Sequence, residues 1–349
     1  MANFDEIKFT IESLSGGKNT VLFDDMEMPS IMVPINKFKC SDVIAGGSDN
    51  IHPAFSVGGV EKDVIYASKF QNVVVNNRAY SLAGKDPKAN INFDTALTYC
   101  RNKGKGWCLT PYALWAAIAL WCRKNGTMPR GNNNYGQDHS YTLEKGTPSS
   151  LDNGRVGRCL TGSGPNTWSH NWMPDGIFDL NGNVSEWCAG MRIYDGEIQI
   201  IPYSNIFDPE VSNSATSTAW KAIKADGTLV EPGTNGTLHY DWISSKLTLS
   251  DGEKVDWENT SRYSGYASMT LASGLEVPEI VKSLILYPDE PGGDYGGDSR
   301  YVNPVSERLP GCGGYWNSGA SAGVFCVFLH NLRSYSTGNI GFRSAFVDL

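Results

Sequence analysis

The C-terminal stretch from Gly313 to Arg343 constrains the fold of this chain more than any other segment. One set of its residues is of the kinds that fill protein cores and turns: Trp316, Gly319, Gly323, Val324, Phe325, Leu329, Arg333, Ile340, Gly341 and Phe342. The residues between them are chemically unrelated and include tyrosine, serine, histidine and threonine, a mixture of rigid aromatic and adaptable hydrogen-bonding groups that is typical of paratopes. A fixed scaffold with free positions between its members predicts a binding surface and not a reaction centre.

Composition favours a folded, soluble protein that does not bind nucleic acid. The 349 residues are 40% hydrophobic, with 10 Trp, 16 Tyr and 38 Gly, which fits a loop-rich globular protein of one elaborated domain or two. The formal net charge of -8, without a dense run of Lys and Arg, disfavours a nucleic-acid partner. No secretory signal and no stretch long enough to cross a bilayer is present, so we expect no membrane insertion.

The cysteines and histidines do not suggest a metal centre. The 8 Cys are scattered without a CxxC pair, so we expect mostly reduced, buried thiols. The 5 His are far apart and lack the spacing of zinc ligands, although a cluster formed only in three dimensions remains open.

Two amphipathic helices are predicted from the spacing of apolar residues. The first begins after Asn92, which can cap it, and ends before Gly104. Its apolar positions follow the i, i+3, i+4, i+7 pattern: Phe93, Ala96, Leu97 and Cys100. The second runs from about Pro111 to Lys124, with Thr110 as its N-cap residue. Its apolar stripe consists of Leu114, Ala117, Ile118, Trp121 and Cys122.

The rest of the chain is predicted to be strands and ordered loops. Residues from about 1 to 60 alternate short apolar runs with Gly, Pro and Asp, which indicates strands and loops. The stretch 129–170 is too polar for regular elements but contains enough Tyr and Trp to pack as ordered loops. Alternating segments between about 190 and 311, such as 236–243 and 246–250, predict a hairpin-rich insertion. Turn dipeptides bound these segments: Asp226-Gly227, Asn235-Gly236 and Asp251-Gly252.

Two segments, Ile91–Ala119 and Gly176–Trp187, resemble the formylglycine-generating enzyme (sulfatase-modifying factor) family. The second, Gly-Ile-Phe-Asp-Leu-Asn-Gly-Asn-Val-Ser-Glu-Trp, is similar to that family's "G-L-Y-D-M-x-G-N-V-x-E-W" signature. The resemblance implies an α+β protein with a modified C-type lectin fold, in which two helices pack on small antiparallel sheets with much irregular structure. It covers residues 61–349, with the insertion at about 190–311 and a variable region at about 313–343, and residues 1–60 could belong to the same domain.

The same signature implies a calcium site. In the family, the positions that match Asp179, Gly182, Val184 and Glu186 hold calcium, and carboxylates with main-chain carbonyls are the oxygen ligands that calcium prefers. The alternative is a turn held by carboxylate-to-backbone hydrogen bonds without an ion. Both interpretations stay open at the level of sequence, and no organic cofactor is expected.

The enzymes of this family hold copper with two cysteines just after a Gly-Gly-Ser-Trp-like segment. Here the matching stretch, Asn317–Phe325, contains no cysteine, and Cys312 and Cys326 flank it. The resemblance therefore implies that the oxidase chemistry is absent. A metal-dependent oxidase that uses Cys312 or Cys326 is the enzymatic rival.

The terminal stretch itself resembles the variable proteins of diversity-generating retroelements, whose last residues read "G-G-x-W-N-x-G-x-x-A-G-V-F... R-S-x-S-x-x-N-I-G-F-R". The residues at the blanks are Tyr315, Ser318, Ser321, Cys326, Phe328, His330, Tyr335, Thr337 and Gly338. Each can be reached from an Asn AAC codon by changing only its adenines, as adenine-directed template copying requires. We refer to these as the predicted variable residues.

The resemblance implies ligand or receptor binding through a diversified surface, as in a phage or prophage receptor-binding protein or a bacterial display protein. The partner would be a protein or glycan on a cell surface, and the protein, made in the cytoplasm, would reach the virion or cell surface without a signal peptide. Oligomers are compatible with this role. The rivals are a purely structural virion protein and ordinary surface loops whose aromatic residues, such as Tyr315, Phe328 and Tyr335, belong to the core.

Overall fold

The computed structural model describes residues 4–254 and 257–349. The helices are α1 Phe4–Ser15, α2 Cys40–Val43, α3 Phe93–Arg101, α4 Tyr112–Lys124 and α5 Glu279–Ser283. Single 3-10 turns are formed by Pro53–Phe55, Asn166–Trp168, Asn205–Phe207, Tyr266–Ser268 and Gly319–Ser321. The strands are β1 Thr20–Phe23, β2 Pro29–Asn36, β3 Ser56–Val57, β4 Val60–Glu61, β5 Val64–Ser68, β6 Val73–Val75, β7 Arg78–Tyr80, β8 Trp107–Leu109, β9 Leu151–Asp152, β10 Arg155–Val156, β11 Ser185–Trp187, β12 Met191–Tyr194, β13 Glu197–Ile200, β14 Lys221–Ile223, β15 Leu229–Val230, β16 His239–Ile243, β17 Lys246–Ser250, β18 Arg262–Gly265, β19 Thr270–Leu271, β20 Ser299–Val302, β21 Glu307–Gly313, β22 Gly323–Asn331, β23 Ile340–Phe342 and β24 Ser344–Phe346.

The structure is mixed α and β, mostly sheet with few helices, which confirms the predicted α+β class. A five-stranded sheet has the order β1-β2-β5-β24-β8 and joins the N-terminal strands to the last strand of the chain. A much larger sheet runs β18-β20-β22-β21-β12-β13-β16-β17-β19, with β11, β14, β15 and β23 attached to it. The expectation of only small antiparallel sheets is therefore wrong, because the insertion extends one sheet and adds the parallel pairs β20-β22 and β17-β19.

Both predicted helices are confirmed. The Asn92 side chain caps α3 by accepting from the Thr95 N–H at 2.9 Å. Helix α4 is buried from Tyr112 to Leu120, as expected for a helix that is apolar on all sides, and packs against β22, α2 and α5. Thr110 does not cap α4, because its hydroxyl donates to the Arg343 carbonyl at 2.9 Å and Pro111 occupies the N-cap position.

The N-terminal segment differs from its prediction. Residues Phe4–Ser15 form helix α1, where strands and loops were expected. The apolar residues Ile7, Ile11 and Leu14 recur at helical spacing, and the first turn carries Asp5 and Glu6, which favour a helix N-terminus. The strand predicted around residues 31–35 is confirmed within β2.

The hairpin prediction for the insertion is confirmed. Strands β16 and β17 pair antiparallel in the register His239↔Ser250 to Ile243↔Lys246. The Asp226-Gly227 turn joins β14 to β15, and Gly227 has the positive φ of 85° that favours glycine in such a turn. All the cysteines are buried and free, as expected for reduced thiols. Within the described ranges, none of the helices combines the length and the apolar character needed to cross a bilayer.

Candidate functional site

Strand β22 carries three of the predicted variable residues on one face. It lies between β20 and β21 in the large sheet, and side chains alternate between the two faces of a strand. Phe325, Val327 and Leu329 pack into the main hydrophobic core. Cys326, Phe328 and His330 therefore share the opposite face. Their period-two spacing in sequence is the spacing that places residues on one side of a sheet.

A pocket of about 250 Å³ opens on that face of the sheet. The predicted variable residues that line it are Tyr315, Ser318, Phe328, His330 and Tyr335. The other lining residues are Ser185, Tyr301, Asn317, Asn331, Asn339 and Ile340. The fold thus brings residues as far apart in the chain as Ser185 and Ile340 into one cavity, and we call it the variable pocket.

Gly311 leaves room for two polar residues that line the variable pocket, Ser185 and Asn331. It lies opposite Phe328 in the pairing of β21 with β22. A Cβ atom at this position would lie 2.9 Å from the Ser185 Oγ and 3.0 Å from the Asn331 Nδ2. A larger residue at position 311 would therefore collide with these two polar groups.

Aromatic rings form one wall of the pocket. The Phe328 ring lies 4.8 Å from Tyr301, 5.4 Å from His330 and 5.8 Å from Tyr315, measured between centroids. Phe328 is only 6% exposed, so it serves as the floor, while the other three rings are half-buried. The rival interpretation places aromatics of this segment in the core: Phe328 is buried, and Tyr335 and Tyr315 each pack partly against a core cluster, while all three also line the pocket.

Asn339 ties several variable residues together. Its Oδ1 accepts a hydrogen bond from the Tyr335 hydroxyl at 3.2 Å and another from the Thr337 hydroxyl. The main-chain N–H of Tyr315 donates to the Ser318 Oγ at 3.1 Å. These contacts hold the rim of the pocket in shape without using a charged group.

The remaining predicted variable residues lie around the pocket and not in it. Ser321 ends the 3-10 turn beside the pocket and interacts with the Tyr301 hydroxyl. Gly338 is half-buried, and its carbonyl accepts from Arg158 at 3.4 Å. Cys326 is the exception, because it is fully buried beneath the surface. The Cys326 side chain is therefore not placed where a ligand at the surface would touch it, whereas Thr337 is half-buried at the rim.

The pocket is electrically neutral. Of the described residues that line it, none is Asp, Glu, Lys or Arg. Burial, with a smaller contribution from Arg308, lowers the pKa of His330 to about 4, so its ring is uncharged at neutral pH. Burial also raises the pKa of the Tyr301 and Tyr315 phenols, which therefore keep their protons. The pocket offers aromatic faces, amides and hydroxyls.

The neutral His330 predicts a pH-dependent stability. Below pH 6.5 the unfolded chain protonates this histidine, whereas the folded chain does so only near pH 4. The contribution of His330 to the unfolding free energy is therefore complete above pH 6.5 and is lost as the pH falls towards 4. We expect the unfolding free energy of wild type, relative to His330→Gln, to fall by about 1 to 2 kcal/mol between pH 7 and pH 5. Urea unfolding of both proteins at the two pH values measures this, and an unchanged difference would contradict it.

The residues predicted to bind calcium are brought together around a side-chain amide. Gln71 Nε2 lies 3.1 Å from the Asp179 carbonyl oxygen, 3.0 Å from the Val184 carbonyl oxygen and 3.0 Å from the Glu186 Oε1. Gly182, with a φ of 77°, is pressed against the Asn132 backbone, where a Cβ atom would come within 2.1 Å of a carbonyl oxygen. The oxygens that would ligate an ion thus surround a hydrogen-bond donor.

A guanidinium group neutralises the carboxylate of the same motif. Arg343 donates to the Glu186 Oε2 from Nε and to Oε1 from a terminal nitrogen, each at 2.6 Å. The Asp179 carboxylate accepts from the Gly162 N–H at 2.8 Å, and burial raises its pKa to about 6. These residues therefore do not fit a calcium ion in this arrangement. The geometry matches the alternative of a turn held by hydrogen bonds.

The two cysteines of the oxidase rival do not face each other. Cys312 on β21 pairs with Val327 on β22, and Cys326 is the residue before Val327 on the same strand. Neighbouring residues of a strand point to opposite faces, so the two thiols project away from each other. Burial raises the pKa of both thiols well above the usual range, which disfavours the thiolate that copper requires. The described residues contain no cluster of three or more His, Cys, Asp or Glu side chains placed to hold a metal ion.

A larger cavity of about 670 Å³ lies elsewhere and is not lined by any predicted variable residue. Both of its arginines are already paired: Arg123 with Asp289 at 3.1 Å, and Arg130 with Glu144. The Arg130 guanidinium also stacks on Tyr141, 3.2 Å from the ring centroid. Size alone therefore does not make this cavity the better candidate.

Several pocket residues were not predicted from the sequence. Asn317 and Asn339 belong to the terminal stretch but occupy scaffold positions of the family pattern, so they were not selected. Tyr301 and Ser185 come from distant segments, and only the pairing of β20 with β22 and of β11 with β21 brings them to the pocket. Residues 299–302, Ser-Arg-Tyr-Val, do not alternate between polar and apolar, so they gave no periodic signal for Tyr301.

No protein-family model and no curated protein matches the chain. Among solved structures, variable protein 1 of Treponema denticola is similar at 12% identity and a TM-score of 0.36, over 94% of this chain and 98% of that one. PvdO of Pseudomonas aeruginosa is similar at 13% identity and a TM-score of 0.32, over 94% of this chain and 97% of that one. Likenesses this distant establish neither the detailed fold nor the function of the chain.

Proposed function

We propose that this protein binds a ligand in the variable pocket and that the residues around the pocket are diversified to change the partner. On this proposal it is a variable protein of a diversity-generating retroelement, built on a C-type lectin fold of the formylglycine-generating-enzyme type. One observation carries the proposal. Residues selected only by a sequence pattern, including Tyr315, Phe328 and Tyr335, line a single cavity.

The chemistry of the pocket supports recognition. Large aromatic rings beside amides and hydroxyls supply both contact area and hydrogen bonds, the composition of a binding site whose specificity depends on a few side chains. Catalysis is not expected, because the cysteines of the rival oxidase are buried and point apart. A purified protein that bound copper tightly and consumed oxygen with a thiol peptide would support the oxidase instead.

Polar contacts outside the variable set hold two scaffold residues, and the Trp316 ring also meets the ring of Tyr315 at 5.8 Å. Trp316 donates from its indole nitrogen to Asp152 at 3.1 Å. Arg333 donates to both carboxylate oxygens of Glu307 at 2.8 Å and to Asp94 at 2.8 Å. Side chains in the pocket can therefore be exchanged while this frame persists, as a diversified binding surface requires.

The biological setting we propose is a phage or prophage receptor-binding protein, or a bacterial display protein, that recognises a protein or glycan on a cell surface. This setting rests on the resemblance of the terminal stretch. The competing role is a structural virion protein in which the same fold only packs against its neighbours.

The proposal predicts where sequences from independent isolates differ. Replacements should concentrate at exposed and half-buried pocket positions such as Tyr315, Ser318 and Tyr335, while Trp316 and Arg333 persist. Because Cys326 is fully buried, we expect only small residues there. Sequencing the gene and its flanks tests this. It should reveal a nearby copy of the final coding segment that differs chiefly at adenines, beside a reverse transcriptase frame.

Identical C-terminal residues in all isolates, without such a copy, would favour the structural role and contradict diversification.

A further inference from the structure

A row of aromatic side chains leads from the variable pocket into the insertion. Tyr263 on β18 is the cross-strand partner of Tyr301 on β20, and Tyr301 is the partner of Phe328 on β22. The Tyr263 and Tyr301 rings stack at 5.0 Å with an interplanar angle of 22°, and the Tyr301 and Phe328 rings are 4.8 Å apart. Cross-strand partners lie on the same side of a sheet, so the three rings share the face on which the pocket opens.

Exposure increases along this row. Phe328 is 6% exposed, Tyr301 is half-buried, and Tyr263 is 60% exposed. Tyr263 thus presents aromatic surface to solvent directly beside the pocket, and the stacking on Tyr301 holds it in place. Exposed aromatic rings next to a lined cavity are the kind of surface that anchors a ligand.

We infer that Tyr263 and Tyr301 bind the ligand together with the variable residues, and that this ligand is an uncharged glycan; the inference rests on the proposed function. Both tyrosines lie outside residues 313–343, the stretch predicted to vary. They would therefore supply the same contact in every variant, while the variable residues select among ligands.

The chemistry of the pocket determines the ligand class. Asn317 and Asn331 each offer a donor and an acceptor, and Asn339, whose Oδ1 already accepts from Tyr335 and Thr337, offers its amide donor; these groups suit the hydroxyl groups of a sugar. The aromatic rings offer flat apolar faces for the C–H face of a pyranose ring. Because none of the described lining residues carries a charge at neutral pH, an acidic or basic ligand would lose hydration without gaining an ion pair.

The test uses the full chain and three sets of immobilised probes: neutral oligosaccharides of hexose and N-acetylhexosamine, oligosaccharides with carboxylate groups, and amidated peptides with a central Phe, Tyr or Trp. We expect binding to the neutral oligosaccharides. The oligosaccharides that bind are then titrated against the protein in solution.

Tyr263→Ala should weaken that binding about tenfold, the loss of one anchoring contact. Tyr263→Phe keeps the ring and should stay close to wild type. The matched control is Tyr194→Ala, an exposed tyrosine of the same insertion that lines a different cavity, and it should leave binding unchanged.

Each other outcome overturns a defined part of the inference. Equal affinity of wild type and Tyr263→Ala for a neutral oligosaccharide would exclude the tyrosine row from the binding surface. Binding to the peptides or to the carboxylate sugars alone would refute the ligand class. If no probe binds but the C-terminal positions vary among isolates, the ligand class fails and the proposed function stands. If no probe binds and those positions are invariant, both fail.

Discussion

Replacing Glu186 with Gln is expected to lower the free energy of unfolding by about 3 to 5 kcal/mol, the usual result of removing one partner from a buried ion pair. Glu186 and Arg343 have side chains that are each 1% exposed, and two hydrogen bonds of 2.6 Å join them. Gln has nearly the same shape as Glu, so the substitution creates no cavity. The cost arises because the buried guanidinium of Arg343 loses the counter-charge to which it is hydrogen-bonded.

The ion pair also positions the variable pocket. Glu186 lies on β11, next to Ser185, and pairs with Gly341 on β23 and with Cys312 on β21. Arg343 also donates to the Ser68 and Phe178 carbonyls at 2.9 Å, so it links three segments behind the pocket. We therefore expect Glu186→Gln to weaken ligand binding as well as stability.

Chemical denaturation of wild type and Glu186→Gln measures the effect. The matched control is Glu61→Gln, because Glu61 makes an exposed ion pair with Lys37 at 3.7 Å and should change stability by less than about 1 kcal/mol. Addition of EDTA should leave the wild-type transition unchanged, since the Gln71 amide and Arg343 occupy the oxygens of the motif. A marked loss of wild-type stability in EDTA would mean that an ion holds this turn.

Local sequence patterns were sufficient to predict the elements whose conformation depends on residues nearby in the sequence. The cap at Asn92, the apolar stripe from Leu114 to Cys122 and the turn at Asp226-Gly227 follow from spacing and turn chemistry within a few residues. The period-two spacing of Cys326, Phe328 and His330 likewise determines which face of β22 they share.

The features that could not be predicted depend on contacts between distant segments. Nothing near Gln71 in the sequence indicates that its amide reaches the 179–186 turn, more than 100 positions away. The burial of Cys326 depends on the segments that pack around β22 in three dimensions, so the sequence pattern could not predict it. The aromatic row from Tyr263 to Phe328 required the parallel pairing of β20 with β22, which no periodicity within one strand can specify.

Gly323 is the scaffold position at which a single added methyl group should do most damage. It begins β22 with a φ of 150°, and a Cβ atom there would lie 2.2 and 2.4 Å from the two carboxylate oxygens of Asp298. Asp298 cannot easily move away, because it is buried and accepts from the Phe325 N–H at 2.7 Å. We expect Gly323→Ala to lower the unfolding free energy by about 2 to 4 kcal/mol, from steric overlap and backbone strain together.

The control and a double variant separate the clash from the loss of a glycine. Gly319 has a φ of 58° but open space around its Cβ position, so Gly319→Ala should cost only about 1 kcal/mol. Asp298→Ala removes the atoms that the new methyl group meets. In the double variant Gly323→Ala with Asp298→Ala, the total loss should therefore be smaller than the sum of the two single losses. Additive losses, or equal costs at Gly323 and Gly319, would mean that Asp298 does not constrain the start of β22.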